Sequence, residues 1–229
     1  MPSVLITGAS RGLGLEFTRQ YLADGWQVLA GARNAEDLTR AHLDARPKQL
    51  SVLTLDVADT ASVKRAAAGL KGTPIDVLLN CAGVFGGKQQ RLGSLDYEDW
   101  RQVLNVNLFG PARVCEAFLE AVAKSARRLM ITITSGMGSL ADNSSGGYIA
   151  YRTSKAAVNM LMRTAAIDLR SRGVTSVVVN PGWVKTDMGG PGAKLSPQES
   201  IAAMRQLFAR LGPADSGRFF NYDGREYPW

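Results

Sequence analysis

Tyr151 and Lys155 stand four residues apart in a segment whose pattern predicts a helix over residues 149–172. Side chains at positions i and i+4 lie on one face of a helix, so we expect the phenol and the ammonium to be neighbours. A cation beside a phenol favours the phenolate and lowers the pKa of the tyrosine toward neutrality. Such a tyrosine can exchange a proton with a substrate oxygen, so the pair predicts an acid–base site for a carbonyl or an alcohol.

The same spacing also suits an exposed tyrosine and lysine that merely share a helix face. That contact is worth only about 0.2–0.5 kcal/mol. The composition and the other motifs of the chain distinguish these two interpretations.

The size and composition of the chain limit the kinds of protein it can be. Its 229 residues are 45% hydrophobic and 21% charged, which suits one globular domain with a full core. No apolar run reaches the roughly 18 to 20 residues that a membrane span needs. The first strand-like run begins at Ser3, which leaves no room for a signal peptide. We therefore expect a cytoplasmic protein without a membrane partner.

The cysteines and the histidine argue against a metal site. Cys81 and Cys115 lack metal-ligand or CxxC spacing, and His42 is the single histidine. We expect no metal and two buried, unreactive thiols.

The net charge of +7 raises the question of an anionic partner. The basic residues are scattered, with Arg127-Arg128 as the densest cluster, and no basic stripe interleaves with aromatic residues. This pattern argues against nucleic acid. A polyanionic cofactor would use part of the charge.

Strand-like and helix-like segments alternate along the chain. Most strand runs are continuous Val, Ile and Leu, which is typical of parallel strands covered by helices on both faces. This alternation predicts an α/β fold with a doubly wound open sheet. The predicted strands are residues 3–7, 27–32, 51–55, 76–79, 129–134, 175–180 and 218–221. The predicted helices are residues 13–23, 35–45, 60–70, 97–124 with a break near Gly110-Pro111, 149–172 and 197–211.

A glycine-rich turn joins the first strand to the first helix. Glycines allow a tight turn in which backbone N–H groups approach a phosphate, and the helix N-terminus adds partial positive charge. The turn therefore predicts a dinucleotide site, and its expected contacts are Gly8, Ser10, Arg11, Gly12, Leu13 and Gly14.

Arg33 directly follows the second predicted strand, at the point where the adenosine ribose of a dinucleotide lies. An acidic residue there would bind the 2′-hydroxyl of NAD(H), whereas Arg33 together with Arg11 suits a 2′-phosphate. We therefore expect NADP(H) as the preferred cofactor, with NAD(H) as the other candidate. The alternative is that Arg33 is an ordinary solvated arginine.

These motifs resemble the short-chain dehydrogenase/reductase (SDR) family over essentially the whole chain. Within the family, residues 142–147 and 221–229 are most similar to the C-factor/sniffer-like carbonyl reductases. The resemblance implies a single-domain Rossmann fold over residues 1–229, with a mostly parallel seven-stranded sheet, helices on both faces and a short substrate lid at residues 187–212. The matching elements are Thr7-Gly8-x-x-x-Gly12-x-Gly14, Asp56-Val57, Asn80-Cys81-Ala82-Gly83, Asn107, Ser135, Tyr151-x-x-x-Lys155 and Asn180-Pro181-Gly182-x-x-x-Thr186.

The resemblance implies four catalytic residues. Tyr151 would donate a proton to the carbonyl oxygen, and Lys155 would lower its pKa and hold the nicotinamide ribose. Ser135 would hydrogen-bond the substrate oxygen and stabilise its developing charge. Asn107 would hold a water that links Lys155 to solvent.

The resemblance also implies further cofactor contacts beside Tyr151 and Lys155. They are Asp56 and Val57 at the adenine, Asn80, Ala82 and Gly83 at the adenosine ribose and the middle of the cofactor, and Pro181, Gly182, Val184 and Thr186 at the nicotinamide and phosphates.

Two assignments have rivals in the sequence. Asn105 competes with Asn107, although the sequence Asn107-Leu108-Phe109-Gly110 favours Asn107. Because the interval from Ser135 to Tyr151 is longer than in many relatives, Ser139 and Ser144 compete with Ser135. Ser135 is preferred because it directly follows a strand.

The leading hypothesis is an NADP(H)-dependent oxidoreductase acting on a small carbonyl or alcohol. The alternative is a dinucleotide-binding signalling or regulatory protein of the C-factor type with little turnover. We expect a homodimer or homotetramer, as is common in the family. An apolar substrate is indicated by the residues expected to line the pocket, which are Phe85, Met137, Tyr148, Trp183 and Met188.

Overall fold

The computed structural model of the chain describes residues 1–41 and 43–229. His42, on which the sequence argument against zinc partly rests, lies outside the described residues. In the described ranges, no three His, Cys, Asp or Glu side chains come together as a metal ligand set would require. None of the helices in that part of the chain is long and apolar enough to cross a membrane.

Seven parallel strands form a single sheet across the described residues. The strands are β1 (Ser3–Thr7), β2 (Gln27–Ala32), β3 (Leu50–Thr54), β4 (Val77–Asn80), β5 (Leu129–Ile133), β6 (Thr175–Asn180) and β7 (Phe219–Asn221). Their order in the sheet is β3-β2-β1-β4-β5-β6-β7, so the chain winds outward from β1 in both directions. The order reverses between β1 and β4, which creates a crevice at the carboxyl ends of these strands.

Helices cover both faces of the sheet and bury it in two apolar layers. The helices are α1 (Gly12–Ala23), α2 (Ala35–Arg40), α3 (Thr60–Gly69), α4 (Tyr97–Leu104), α5 (Gly110–Ala123), α6 (Ile149–Asp168) and α7 (Pro197–Arg210). Phe17 of α1 and Phe208 of α7 belong to one layer, and Phe118 of α5 and Met162 of α6 belong to the other. Because every strand except β3 is buried along most of its length, its apolar run is continuous rather than alternating. The predicted single-domain Rossmann fold is confirmed.

Two predicted helix boundaries differ clearly from the structure. The helix predicted over 35–45 ends at Arg40. The helix predicted over 149–172 ends at Asp168 and is followed by a 3-10 turn, Arg170–Arg172. Its length was overpredicted because 3-10 turns are frequent at the ends of α-helices and too short to show a periodicity of their own.

The long helix predicted over 97–124 is divided by a π-helical segment rather than by a break. This segment, Asn105–Phe109, lies between α4 and α5, and α5 begins at Gly110. Gly110 lies so close to the loop before α3 that a Cβ there would be 3.0 Å from Cγ2 of Val57. π-helical turns are rare and are frequent at functional sites.

Gly14 allows α1 to approach the turn that follows β1. A Cβ at Gly14 would lie 2.2 Å from the carbonyl oxygen of Gly8, a contact that the rigid backbone cannot relieve. We predict that Gly14→Ala lowers the free energy of unfolding by about 1–3 kcal/mol, as overpacking does elsewhere. Denaturant unfolding measures the change.

Gly69→Ala is the matched control for this prediction. Gly69 is the last residue of α3, and an added Cβ meets no atom within 4 Å. We expect no loss of stability there. Equal stability of the two alanine variants would contradict the packing argument.

Candidate active site

α6 carries Tyr151 and Lys155 on its inner face, at the carboxyl edge of the sheet. The exposed fractions of these residues are 6% and 5%, so the interpretation as an exposed helix pair is wrong. Tyr148 precedes the helix in a left-handed conformation with φ of 52°, and its side chain forms no capping hydrogen bond. Instead, the backbone N–H of Tyr151 donates to Oε1 of Gln90 at 3.0 Å.

Lys155 is held between the sheet and the tyrosine ring. Its Nζ donates to the carbonyl oxygen of Ile133, the last residue of β5, at 3.0 Å. The same atom lies 5.7 Å from the ring centroid of Tyr151. Burial lowers the pKa of Lys155 to about 8, and the nearby Cys81 thiol partly opposes this shift. The lysine can therefore gain or lose a proton close to neutral pH.

Tyr151 has the opposite pKa shift from the one predicted. Burial raises its pKa to about 12, and a side-chain hydrogen bond involving Ser135 only partly opposes this effect. The expectation that Lys155 brings this pKa toward neutrality is wrong for the free protein. The reason is that desolvation of the phenolate outweighs the favourable interactions that surround it. At neutral pH the phenol keeps its proton.

Ser135 lies two residues after the end of β5, and its side chain hydrogen-bonds with that of Tyr151. Its Oγ also accepts a hydrogen bond from the backbone N–H of Met137 at 3.1 Å. The loop then packs tightly on α6, since a Cβ at Gly138 would lie 2.8 Å from Cβ of Lys155. This contact ties the position of Ser135 to that of the lysine.

The two rival serines lie in different surroundings. Oγ of Ser139 donates to the carbonyl oxygen of Trp229 at 2.9 Å and accepts from the backbone N–H of Asp142 at 3.0 Å. Ser144 is exposed. The geometry therefore favours Ser135 over both.

Asn107 lies in the π-helical segment, with 1% of its surface exposed. Its Nδ2 donates to the carbonyl oxygen of Val84 at 2.8 Å and to Oγ of Ser154 at 3.0 Å, and its Oδ1 accepts from the N–H of Val84 at 2.9 Å. A Cβ at Gly83 would lie 3.4 Å from this Oδ1 and 3.7 Å from Nζ of Lys155. Asn107 and Lys155 therefore border the same small space.

Asn105 faces a different part of the molecule. Its side chain donates to the carbonyl oxygen of Ala58 at 3.3 Å and accepts from Arg113 at 2.8 Å. These contacts hold the π-helical segment on the loop before α3. The structure thus separates the two asparagines that the sequence left as rivals.

The glycine-rich turn after β1, residues 8–14, forms a narrow cradle. It packs against the loop after β4 on one side and is open on the other. Gly8 has φ of 69°, and a Cβ there would lie 2.8 Å from Cα of Ala82. Gly12 faces outward, with Cγ2 of Thr186 as the nearest atom at 3.8 Å from an added Cβ. Beside it lies a cavity of about 240 Å³ that Gly12, Lys185 and Thr186 help to line.

Within the described residues, the first turn of α1 also receives no hydrogen bond from the side chain of its N-cap residue, Arg11. By contrast, α2, α3, α4 and α7 are capped by Asn34, Asp59, Asp96 and Ser196. The backbone N–H groups in the first turn of α1 thus lack the side-chain acceptor that the N-cap residue supplies in these other helices. The narrow cradle, the uncapped helix and the open cavity fit a phosphate group.

The other residues expected to contact a cofactor follow successive strands along the same edge. Arg33 is exposed, and Arg11 forms an exposed ion pair with Asp187 at 3.9 Å.

Nδ2 of Asn80 donates to Thr132, whereas the buried Oδ1 of Asn80 has no hydrogen-bond partner among the described residues. The remaining members of this row are Asp56 and Val57 after β3, Ala82 and Gly83 after β4, and Pro181, Gly182, Val184 and Thr186 after β6. Ser10 and Leu13 lie in the turn after β1 and at the start of α1.

Sequence reasoning missed Gln90. Besides binding the N–H of Tyr151, it donates to the carbonyl oxygens of Phe85 and Gly87, so it joins the loop after β4 to the start of α6. A single glutamine within a loop carries no spacing or composition signal that could have revealed this role.

An open cavity of about 600 Å³ lies next to Phe85, the residue that packs on Tyr151. Its lining includes the aromatic rings of Phe85 and Tyr148 and the side chains of Lys88 and Arg91. The ring centroid of Phe85 lies 4.6 Å from that of Tyr151. Met188 approaches from the segment after β6, with its Sδ 3.9 Å from the tyrosine hydroxyl. Phe85 and Met188 therefore contact Tyr151, and Tyr148 packs on the ring of Phe85.

The cysteines lie half-buried as free thiols. Burial raises the pKa of Cys81 to about 12 and that of Cys115 to about 11. At neutral pH both are protonated, which makes them poor nucleophiles.

The parallel sheet, the phosphate-type turn and the buried Tyr–Lys pair at one edge together define an α/β oxidoreductase. Comparison with known families agrees, since a model described as short chain dehydrogenase matches residues 2–194. The chain belongs to the short-chain dehydrogenase family. It is accordingly an enzyme that acts on CH–OH or C=O groups, and the predicted family is confirmed.

Relatives of the chain include both enzymes and a signal protein. C-signal of Myxococcus xanthus is 47% identical over 156 residues, which cover 68% of this chain and 93% of the relative. The 1-hydroxy-2-glutathionyl-2-methyl-3-butene dehydrogenase of Rhodococcus sp. (strain AD45) is 34% identical over the full length of both chains.

Solved structures with the same fold include carbonyl reductases. The carbonyl reductase Sniffer of D. melanogaster is 30% identical over the full length of both chains, with a TM-score of 0.90. An NADPH-bound carbonyl reductase from chicken fatty liver is 34% identical, with a TM-score of 0.89, and the match covers 100% of this chain and 99% of that one. These structures place the chain near the predicted carbonyl-reductase group.

The lowered pKa of Lys155 predicts how a Lys155→Met variant responds to pH. The folded wild type releases the lysine proton near pH 8, whereas the unfolded chain keeps it to about 10.5. Between these values the unfolded state binds more protons, so the wild type becomes more stable relative to the variant as pH rises. We expect the difference in unfolding free energy to move by about 2 kcal/mol between pH 7 and 10.

Urea unfolding of both proteins at several pH values measures this difference. Lys88→Met, at an exposed position, serves as the control and should show a constant difference from wild type. A difference for Lys155→Met that stays flat across the same range would contradict the effect of burial.

Proposed function

We propose that the enzyme is an NADP(H)-dependent reductase of small aldehydes or ketones that can also oxidise the corresponding alcohols. The observation that carries this proposal is the buried phenol of Tyr151, which touches Ser135 and lies beside Lys155 at the sheet edge. Carbonyl-reductase neighbours that cover the whole chain support it.

The cofactor would be held along the carboxyl edge of the sheet. The turn of Gly8, Gly12 and Gly14 suits its phosphates, and Gly83 leaves room beside Lys155 for its ribose. When bound, NADPH supplies a hydride to the carbonyl carbon. Solved relatives with NADPH or NADP bound support this choice.

Tyr151 would act as the general acid of the reduction. Its pKa of about 12 keeps it protonated at neutral pH, the state that a proton donor needs. Ser135 would donate a hydrogen bond to the same substrate oxygen and stabilise the charge that develops there. The Phe85 ring and Met188 would limit the access of water to this oxygen.

Lys155 would restore the proton to Tyr151 after each turnover. With a pKa of about 8, it exchanges protons readily near neutral pH. Asn107 would anchor the water that connects the lysine to solvent, since both residues border the space at Gly83. The anionic cofactor would favour the ammonium form of the lysine.

Arg33 and Arg11 would bind the 2′-phosphate of the adenosine ribose. Arg33 follows β2 and is exposed, so its guanidinium is accessible to a ligand. Arg11 stands at the start of α1, where its exposed ion pair with Asp187 costs little to exchange.

The substrate lid would be confined to residues 187–196, within the expected range of 187–212. The later part of that range contains α7, whose Ile201 and Met204 are fully buried in the core. Met188, which contacts Tyr151, belongs to the shorter segment.

The oligomeric state, homodimer or homotetramer, and the cytoplasmic location stay predictions.

Tyr151→Phe tests the proposed chemistry. The variant keeps the ring and removes the proton donor, so we expect carbonyl-dependent NADPH oxidation to fall by about 10²–10⁴-fold. Steady-state assays with a panel of aldehydes and ketones measure this, while NADPH binding is followed by fluorescence titration. Tyr97→Phe, at an exposed position of α4, is the matched control.

Full activity of Tyr151→Phe would contradict the proposed role. NADPH binding by the wild type without turnover of any panel member would instead support the dinucleotide-binding signalling alternative.

Arg33→Gln tests the cofactor preference. Charge-assisted hydrogen bonds contribute about 1.5–3 kcal/mol, so we expect kcat/KM for NADPH to fall by about 10-fold or more. The value for NADH should stay within about 2-fold, because NADH lacks the phosphate. Arg170→Gln, an exposed arginine in the turn after α6, is the control. An equal loss with both cofactors would refute the assignment of Arg33.

A further inference from the structure

The 221–229 segment, which the sequence analysis used only for its family resemblance, lies against both loops of the active site. It turns back on β7, where the N–H of Asn221 donates to the carbonyl oxygen of Arg225 at 2.8 Å and the N–H of Tyr227 donates to that of Phe219 at 2.7 Å. The rings of Tyr227 and Trp229 pack on Phe219, with centroids 5.0 and 5.4 Å away. The segment is thus anchored on the sheet.

From this anchor the segment binds the Ser135 loop, residues 135–143. The carbonyl oxygen of Trp229 accepts hydrogen bonds from the backbone N–H groups of Leu140 at 2.7 Å and Ala141 at 3.0 Å. The same oxygen accepts from Oγ of Ser139 at 2.9 Å. One oxygen atom therefore accepts hydrogen bonds from three consecutive residues of the loop.

A second contact lies closer to Ser135. The hydroxyl of Tyr227 donates to Oδ2 of Asp142 at 2.6 Å. It also lies beside Gly136, where an added Cβ would come within 2.5 Å of it. Because Gly136 is the residue next to Ser135, the Tyr227 side chain restricts the position of the backbone beside the serine.

The segment reaches the loop after β6 as well. Nδ2 of Asn180 donates to Oδ1 of Asn221 at 2.9 Å, and Oδ1 of Asn180 accepts from the N–H of Gly136 at 3.0 Å. A Cβ at Gly182 would lie 3.0 Å from Cδ1 of Tyr222. The 221–229 segment therefore connects the Ser135 loop with the loop proposed to meet the nicotinamide.

We propose that the 221–229 segment is a positioning element of the active site, with the Tyr227–Asp142 hydrogen bond holding Ser135 against Tyr151. This inference rests on the proposed function. This hydrogen bond is exposed to solvent, so we expect it to contribute little to the free energy of unfolding. A displacement of about 1 Å at a reacting group can cost on the order of 10²-fold in rate, so a weak contact can matter for turnover.

Tyr227→Phe and Asp142→Ala test the role of this bond. Tyr227→Phe keeps the ring on Phe219 and loses only the hydroxyl, so the fold should persist. We expect kcat for a carbonyl substrate to fall by about 10-fold in each variant, while KM for NADPH and Tm stay close to wild type. Asp142→Asn, whose amide oxygen still accepts the bond, should restore kcat to within about 2-fold of wild type.

Additivity and amide exchange complete the test. The double variant Tyr227→Phe/Asp142→Ala should be no slower than either single variant, because both remove the same bond. The backbone amides of Leu140 and Ala141 should exchange with deuterium faster in Tyr227→Phe. Tyr97→Phe is again the control and should match wild type in every assay.

The possible results separate the two proposals. An active wild type with equally active Tyr227→Phe and Asp142→Ala would overturn the positioning role and leave the proposed function standing. A lower Tm with unchanged kcat would show a purely structural contact and overturn it as well. A wild type that binds NADPH but turns over no carbonyl would overturn both.

Discussion

The burial of a phenol and an amine side by side is the constraint on which this site depends. Tyr151 and Lys155 occupy neighbouring turns of one helix, and the sheet edge and the loops around them exclude most solvent. Burial disfavours both charged forms, so it raises the pKa of the tyrosine and lowers that of the lysine. At neutral pH the phenol therefore keeps its proton, and the two groups do not form an ion pair of a phenolate with an ammonium.

The surrounding polar groups belong to different strands and loops and fix this pair in place. Ile133 provides an acceptor for the amine at the end of β5, and Gln90 ties the first turn of α6 to the loop after β4. Asn107 joins that loop to Ser154 through the π-helical segment. Since parallel strands end at a common edge, residues distant in sequence meet at one point.

The features that depend on local pattern could be predicted from the sequence. Buried parallel strands produce continuous apolar runs, so the fold could be predicted. The glycine-rich turn between β1 and α1 is typical of a dinucleotide site, and the cofactor contacts drawn from it stay predictions. The π-helical segment at Asn105–Phe109 could not be predicted, because Asn105, Asn107 and Gly110 make their contacts there with residues distant in sequence. The direction of the Tyr151 pKa was also missed, since spacing shows a neighbouring cation but not the extent of desolvation.

In the proposed function, burial keeps Tyr151 protonated until a substrate accepts its proton. NMR of protein labelled with ¹³C at the tyrosine Cζ, with Tyr151 assigned from the spectrum of Tyr151→Phe, measures its titration directly. We expect this resonance to keep the chemical shift of a neutral phenol up to about pH 11 in the free protein, in line with the Tyr151 pKa of about 12. A titration midpoint at or below about 10, the ordinary value for tyrosine, would contradict it.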